Sequence, residues 1–315
     1  MRYVVTLEHV VTEKVLEVGG KARCLSGLLQ AGISVPLGFC VATVAYEDFL
    51  IANGLDEFIS NCLSRIEQSE SLAKISTEIR RAILSAEVPR PICQEITQAL
   101  ESNGPEATPL VVRSSAIPED LQEASFAGQY ESFINISGVG QIIGKVRECW
   151  ASLWSERALI YRQRHRLDRQ RDKMAVIVQR MVRPDVSGVT MTGNPITGTT
   201  SEVIITASFG LAESIVSGLV SPDEYHVDKQ RKEIVSRQIA DKRIESVASS
   251  SGLILRRALP PDRRRKQSLS EPQILKLTEI AIEIETLLGS SREIEWSLEK
   301  DSVFILQARP LALSF

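Results

Sequence analysis

Apolar residues in the first hundred positions recur at the three- and four-residue spacing of helices with one buried side. Ala22, Leu25, Leu28 and Leu29 share one helical face behind Gly19-Gly20, and Gly32 stops that segment. Tyr46, Phe49 and Leu50 form a second stripe, with Thr43 as its expected cap and Asn53-Gly54 as its stop. Leu72, Ile75, Ile79 and Ile83 form a third. Between the first two, residues 33–41 carry Pro36 and Gly38 and read as an extended lead into a strand. Turn residues at Asn103-Gly104-Pro105 and Pro109 close the region.

The middle of the chain changes period. The apolar run Leu110-Val111-Val112 predicts a strand that delivers Arg113-Ser114-Ser115 into a loop, which continues through Ala127-Gly128-Gln129. A strand over 130–136 follows, then a long helix with Val139, Ile142, Val146, Cys149, Trp150 and Leu153 on one face. Strands are expected over 174–182 and 186–192, then over 203–207 and 225–227, with a short helix from Gly210 between the last two. The polar, arginine-rich stretch 246–270 reads as a mobile loop. Ser270 with Gln273 gives a capping-box signal for a helix bearing Ile274, Leu277, Ala281, Ile284 and Leu288, ended by Gly289. The mixture is α+β rather than a regular βαβ alternation, and three subdivisions are expected: 1–111 with 196–240, 112–195, and 241–315.

Composition narrows the classes. A chain of 315 residues is long for one core and sufficient for two lobes. A net charge of −3 gives no general reason to expect nucleic acid or an anionic membrane as partner, and no apolar run approaches the ~20 residues of a membrane span. Five scattered cysteines and three histidines predict a reducing, cytoplasmic setting without a disulfide framework or zinc site. The six arginines between Arg157 and Arg171 read as a solvated helix end, and Trp150 and Trp154 as core. Neither a GxGxxG motif after a strand nor a GxxxxGK[ST] loop is present.

Four segments can carry chemistry. In Gly19-Gly20-Lys21 the glycines allow close approach of a bulky anion and Lys21 adds a point charge, although the pair also suits a plain turn. Arg113, followed by two hydroxyls, suits phosphate oxygens or, equally, a carboxylate such as Glu119 or Asp120. Ser125-Phe126-Ala127-Gly128-Gln129 can fold over a polyphosphate or form an ordinary hairpin loop. At the C-terminus, Ile294, Trp296 and Leu298 alternate with Glu293, Glu295 and Ser297, and Phe304, Leu306 and Ala308 are expected to join the apolar face. Pairing around Lys300-Asp301-Ser302 sets Glu295 across from Gln307, with Arg309 on the same face. That trio suits Mg²⁺ carrying phosphate oxygens; a solvated face with a Glu295–Arg309 ion pair is the alternative.

Taken in order, these segments resemble the ATP-binding part of the family containing phosphoenolpyruvate synthase, pyruvate phosphate dikinase and rifampin phosphotransferase. The resemblance runs from about Gly19 to Pro310 and includes Val112-Arg113-Ser114-Ser115-Ala116, Cys149-Trp150-Ala151-Ser152-Leu153-Trp154 and Val178-Gln179-Arg180-Met181-Val182. It continues through Ser208-Phe209-Gly210-Leu211 with Glu213, Ser221-Pro222-Asp223, Ile294-Glu295-Trp296 and Leu306-Gln307-Ala308-Arg309-Pro310. It implies a two-lobed ATP-grasp fold with nucleotide held between the lobes. Lys21, Arg113 and Arg309 would act on the phosphates, with Gly128 and Gln129 in a lid over them. Gln179, Met181 and Val182 would line the adenine edge, Glu213 would join the nucleotide site, and Glu295 and Gln307 would bind Mg²⁺.

The chain departs from the pattern at Ala212, where the family usually has a second glycine, and at Thr206, where an acidic residue is frequent. The implied function is ATP-dependent phosphoryl or pyrophosphoryl transfer to a small-molecule acceptor, or to a separate protein with a phosphohistidine domain. The relatives' phosphohistidine and acceptor domains have no counterpart expected in these 315 residues. Two other readings stay open: an ATP-grasp ligase that activates a carboxylate as an acyl phosphate, and a non-catalytic ATP-binding subunit.

Overall fold

Helices dominate the first part of the chain, as its apolar spacing predicts. The computed structural model describes residues 2–11, 17–67, 71–102, 109–116, 130–165, 172–249 and 253–312. They divide into two units, Met1–Gly27 with Leu37–Met181, and Leu28–Pro36 with Val182–Phe315. The first contains β1 (Val4–Thr6), the start of α1 (Gly19–Gln30), β2 (Gly38–Val41), α2 (Thr43–Ala52), α3 (Leu55–Glu67), α4 (Leu72–Ser85) and α5 (Arg90–Ser102). It continues with β3 (Leu110–Ala116), β4 (Ser132–Ile136), α6 (Val139–Ser152), α7 (Glu156–His165) and β5 (Met174–Arg180).

Its described strands form an antiparallel sheet in the order β1-β2-β5-β3-β4. Phe39, Val41, Val112, Ala116, Val176 and Val178 point to one face, where they share a core with Tyr46, Phe49, Ile75, Ile79, Ile83 and Trp150 of the helices. Trp154 Nε1 donates to Tyr46 Oη at 2.8 Å, so its one polar atom is satisfied inside that core. The arginine-rich helix end is not wholly solvated. Arg162 is buried, pairs with Asp172 at 2.6 Å and lies over the Trp154 ring. Ala42 rather than Thr43 is the N-cap of α2; the Thr43 hydroxyl instead donates to Glu17 at 3.4 Å.

The second unit contains β6 (Val186–Met191), β7 (Glu202–Phe209), α8 (Glu213–Val216), β8 (Asp223–Asp228) and β9 (Glu233–Gln238). These are followed by β10 (Ile244–Ala248), β11 (Ile254–Ala258), α9 (Pro261–Arg264), α10 (Glu271–Leu288), β12 (Arg292–Glu299) and β13 (Ser302–Pro310). Six of the described strands pair antiparallel in the order β13-β12-β6-β7-β8-β9, and β10 and β11 form a separate hairpin. α10 packs on β12, β6 and β7. As expected, it begins with Gln273 accepting from the Ser270 N–H at 2.8 Å and ends at Gly289 in the left-handed region. Trp296 is fully buried, and its indole donates to Thr190 Oγ1 at 2.9 Å. Gly188 makes room for it, since a Cβ there would sit 2.5 Å from the ring.

Three expectations are corrected. Arg113-Ser114-Ser115 does not leave the sheet, because β5 pairs with β3 along its whole length, from Leu110↔Arg180 to Ala116↔Met174. The stretch 246–270 contains β11, α9 and the end of β10 rather than one long loop. The three-way division also differs from the two units. Pairing of β3 with β5 keeps 112–181 with the N-terminal residues, and β6 sits between β7 and β12, joining the segments beyond 182 in one sheet.

Candidate functional site

In the first unit the polar candidates lie on the sheet face opposite the helical core. Alternation along β3 puts Val111, Arg113 and Ser115 on that face, and their β5 partners are Gln179, Ile177 and Ala175. Arg113 and Gln179 thus share a face as diagonal neighbours, two register positions apart along the strands. The start of α1 is pinned beside them. Ser115 Oγ donates to Val18 O at 2.8 Å and accepts from the Ala22 N–H at 3.2 Å. Gly19 has φ +72°, and a Cβ there would lie 2.4 Å from Ser115 O, so the helix comes this close only with glycine. Lys21 extends from this turn and donates to Ser114 O at 2.9 Å. Lys21 and Arg113, 92 positions apart, are therefore brought together by one strand end.

Met181 and Val182 follow β5 with buried side chains, and the chain passes from the first unit to the second between them. The Met181 N–H donates to Pro109 O at 2.9 Å. Gly128 and Gln129, and with them Glu119 and Asp120, lie outside the described residues.

In the second unit the terminal hairpin has the expected register: Glu295 pairs with Gln307 and Glu293 with Arg309. A bulge after Glu295 then sets Trp296 opposite Ile305, leaving Leu306 as the extra residue. The bulge reverses part of the expected alternation. Val303 and Ile305, not Phe304 and Leu306, join Ile294, Trp296 and Leu298 on the buried face with Ala308. Glu293, Glu295, Gln307 and Arg309 remain together on the other face, half-buried. Arg309 pairs with Glu293, through Nε at 3.1 Å and through Nη2, rather than with Glu295. The ion-pair alternative thus has a partner, but it is the neighbouring carboxylate.

Glu213 opens α8. Its Oε2 accepts from Ser246 Oγ at 3.1 Å and its Oε1 from Arg256 Nη2 at 3.0 Å. Neither donor was expected from sequence, because the stretch holding both read as a loop. Ala212 has an ordinary right-handed helical backbone (φ −60°, ψ −22°), so the missing second glycine costs no conformational freedom there. Gly210 is the position that needs one, with φ +78° and a would-be Cβ 2.3 Å from Ser246 O. The Thr206 hydroxyl is committed to Val189 O at 3.1 Å.

Two further polar clusters were not expected. Asp223 forms a fully buried pair with Lys242 and accepts from the Ala240 N–H (2.9 Å), the Ser268 N–H (2.8 Å) and Ser268 Oγ (2.7 Å). A buried charge so completely partnered ties three segments together. His226 lies between Glu202 at 2.8 Å and Glu224 at 3.0 Å. Burial lowers its pKa, but the two carboxylates outweigh that and hold it above 6.5.

Comparison with known proteins identifies the family of the chain. The family model described as pyruvate phosphate dikinase, AMP/ATP-binding domain, matches residues 15–314. The chain is 40% identical to a rifampicin phosphotransferase of Streptomyces sviceus over 100% of its own length and 36% of the relative's. It is 38% identical to that of Bacillus cereus (98% and 36%), and 35% identical to a phosphoenolpyruvate synthase of Pyrococcus furiosus (98% and 44%). It therefore spans less than half the length of these relatives. With the match running almost end to end, the chain belongs to the pyruvate phosphate dikinase AMP/ATP-binding domain family and has the α+β, ATP-grasp fold its motifs implied.

Proposed function

We propose that this chain binds ATP with Mg²⁺ and acts as the phosphoryl- or pyrophosphoryl-donating part of a phosphotransferase. The observation that supports this best is the register of β12 and β13. It sets a carboxylate, Glu295, directly opposite an amide, Gln307, with the Glu293–Arg309 pair beside them. Hard oxygen donors on adjacent strands fit Mg²⁺, which keeps several waters and phosphate oxygens and needs few protein ligands. When bound, Mg²⁺ neutralises charge on the phosphate oxygens. Glu293 occupies Nε and Nη2 of Arg309 and so orients the guanidinium, leaving the Nη1 donors for a phosphate oxygen. Lys21 supplies a compact charge and Arg113 a planar fork to the phosphates. Gln179, Met181 and Val182 take the adenine edge, Glu213 joins the nucleotide site, and Gly128 and Gln129 cover the phosphates.

The acceptor is a small molecule, reached directly or through a separate phosphohistidine-domain protein; nucleic acid and membrane are not partners. Among the described residues no helix is long and apolar enough to cross a membrane, and Cys24, Cys40, Cys62, Cys93 and Cys149 form no disulfide. We place the activity in the cytoplasm. Titration calorimetry with a non-hydrolysable ATP analogue tests the reading: binding should be measurable with Mg²⁺ and much weaker in EDTA. Absence of heat in both conditions would remove the central claim. With ATP and an acceptor, AMP with phosphate or pyrophosphate is expected for the dikinase type of transfer, whereas ADP with phosphate and a new acyl bond would mark a ligase.

A further inference from the structure

The Glu213 carboxylate is held by two residues that face each other across a hairpin. Ser246 on β10 and Arg256 on β11 are register partners, and each donates to a different oxygen of Glu213. The backbone in front of Glu213 is tied to the same place. Gly210 bridges to Ser246 in parallel fashion, and the Leu211 N–H donates to Ser246 O at 2.8 Å. Ser246 is fully buried, whereas Arg256 and Glu213 are partly exposed, with side chains 54% and 38% accessible.

A glutamate has three side-chain rotors and loses considerable entropy when fixed. On α8, a helix of only four residues, no described residue of the helix itself bonds this side chain. The hairpin does so from a distance of more than thirty positions in sequence. Each carboxylate oxygen has two lone pairs, so one donor on each leaves acceptor capacity for a ligand hydroxyl or N–H. Arg256 also offsets a negative charge that would otherwise oppose an approaching polyphosphate.

We infer that Ser246 and Arg256 form a clamp that presents Glu213 to the nucleotide, which makes Arg256 a positioning residue for nucleotide affinity. The inference rests on the nucleotide-binding reading of Glu213. It is tested by calorimetric Kd values for a non-hydrolysable ATP analogue with Mg²⁺, measured on the whole chain. The variants are Arg256→Ala, Arg256→Lys, Ser246→Ala, Glu213→Gln and the double variant E213Q/R256A, with melting temperatures alongside.

Arg256→Ala should raise Kd about fivefold, the scale of a partly exposed charge pair, with an unchanged melting temperature. Arg256→Lys should restore most of the loss, since a single donor reaches Oε1, and Ser246→Ala should also weaken binding. In the Glu213→Gln background, Arg256→Ala should add nothing. Unchanged Kd in Arg256→Ala beside a raised Kd in Glu213→Gln overturns the clamp alone, as does full additivity in the double variant. Wild-type affinity in Glu213→Gln overturns the role of Glu213, and no binding by the wild type overturns the nucleotide reading itself. If Arg256→Ala melts early, Arg256→Lys and Ser246→Ala carry the comparison, and wild-type affinity in Ser246→Ala then counts against the clamp.

Discussion

His226 shows how far a single residue's behaviour departs from its sequence context. Glu224 and Asp228 flank it two positions away on its own strand, yet it is β7, from a distant segment, that brings Glu202 to its Nδ1. Asn194 in turn donates to Glu202 at 2.9 Å, and the same residue caps the turn that follows β6 by accepting from the N–H groups of Ile196 and Thr197. The folded pKa of His226 is raised, so its contribution to stability is complete below the unfolded value near 6.5 and is lost as pH climbs through the folded one. Glu202 is shifted the other way. Burial raises its pKa, but hydrogen bonds from His226 and Asn194 more than reverse that. Its contribution is present above 4.5 and fades as pH falls through its lowered value. The cluster is thus strongest between the two unfolded values. Thermal melts of wild type and His226→Gln should differ most at about pH 6 and converge towards about pH 9. A gap that widens with pH would contradict the pairing. At the same scale, Glu295 and Gln307 were legible because cross-strand neighbours follow from alternation about a tight turn. Lys21 with Arg113 was legible only as two separate motifs, since their meeting depends on Ser114 and Ser115 lying under α1.

Elements differ in how much of their behaviour is local. α10 was readable from cap to stop because its signals lie within one segment. The β12–β13 hairpin was readable in register near Glu295 but not in facing beyond it, because a bulge leaves no period-2 trace in composition. β9 carried no strand signal, being almost wholly exposed at the sheet edge with no apolar face to show alternation. The two faces of β12 predict opposite outcomes. Glu295→Ala and Gln307→Ala should abolish turnover while leaving the melting temperature close to that of the wild type, since neither side chain fills the core. Trp296→Ala removes a fully buried indole packed against Gly188 and should cost ~3–5 kcal/mol. Denaturant unfolding of the three variants checks this, and similar losses in all three would refute the assignment of faces.

For the whole molecule the arrangement of histidines carries a consequence. In-line phosphoryl capture needs an imidazole nitrogen with a free lone pair near the transferring phosphate. His226 has carboxylates on both ring nitrogens, and neither His9, after β1, nor His165, at the end of α7, belongs to the residues proposed to hold the phosphates. This chain incubated with ATP labelled at the β- or γ-phosphate should acquire no acid-labile, base-stable label. Stoichiometric label abolished by replacing one of these histidines would prove the opposite. Sequence by itself determined the α+β class, most of the helices with their buried faces, and the polar row of Glu293, Glu295, Gln307 and Arg309, because periodicity and turn chemistry are local properties. Only the tertiary structure decided that Arg309 takes Glu293, that Ser246 and Arg256 grasp Glu213, and that β5 holds Arg113 in a sheet rather than a loop. It also set the division into two units. Each of these depends on which distant strands lie side by side and on bulges that shift their register, and neither strand order nor register is encoded in the spacing of residues along one segment.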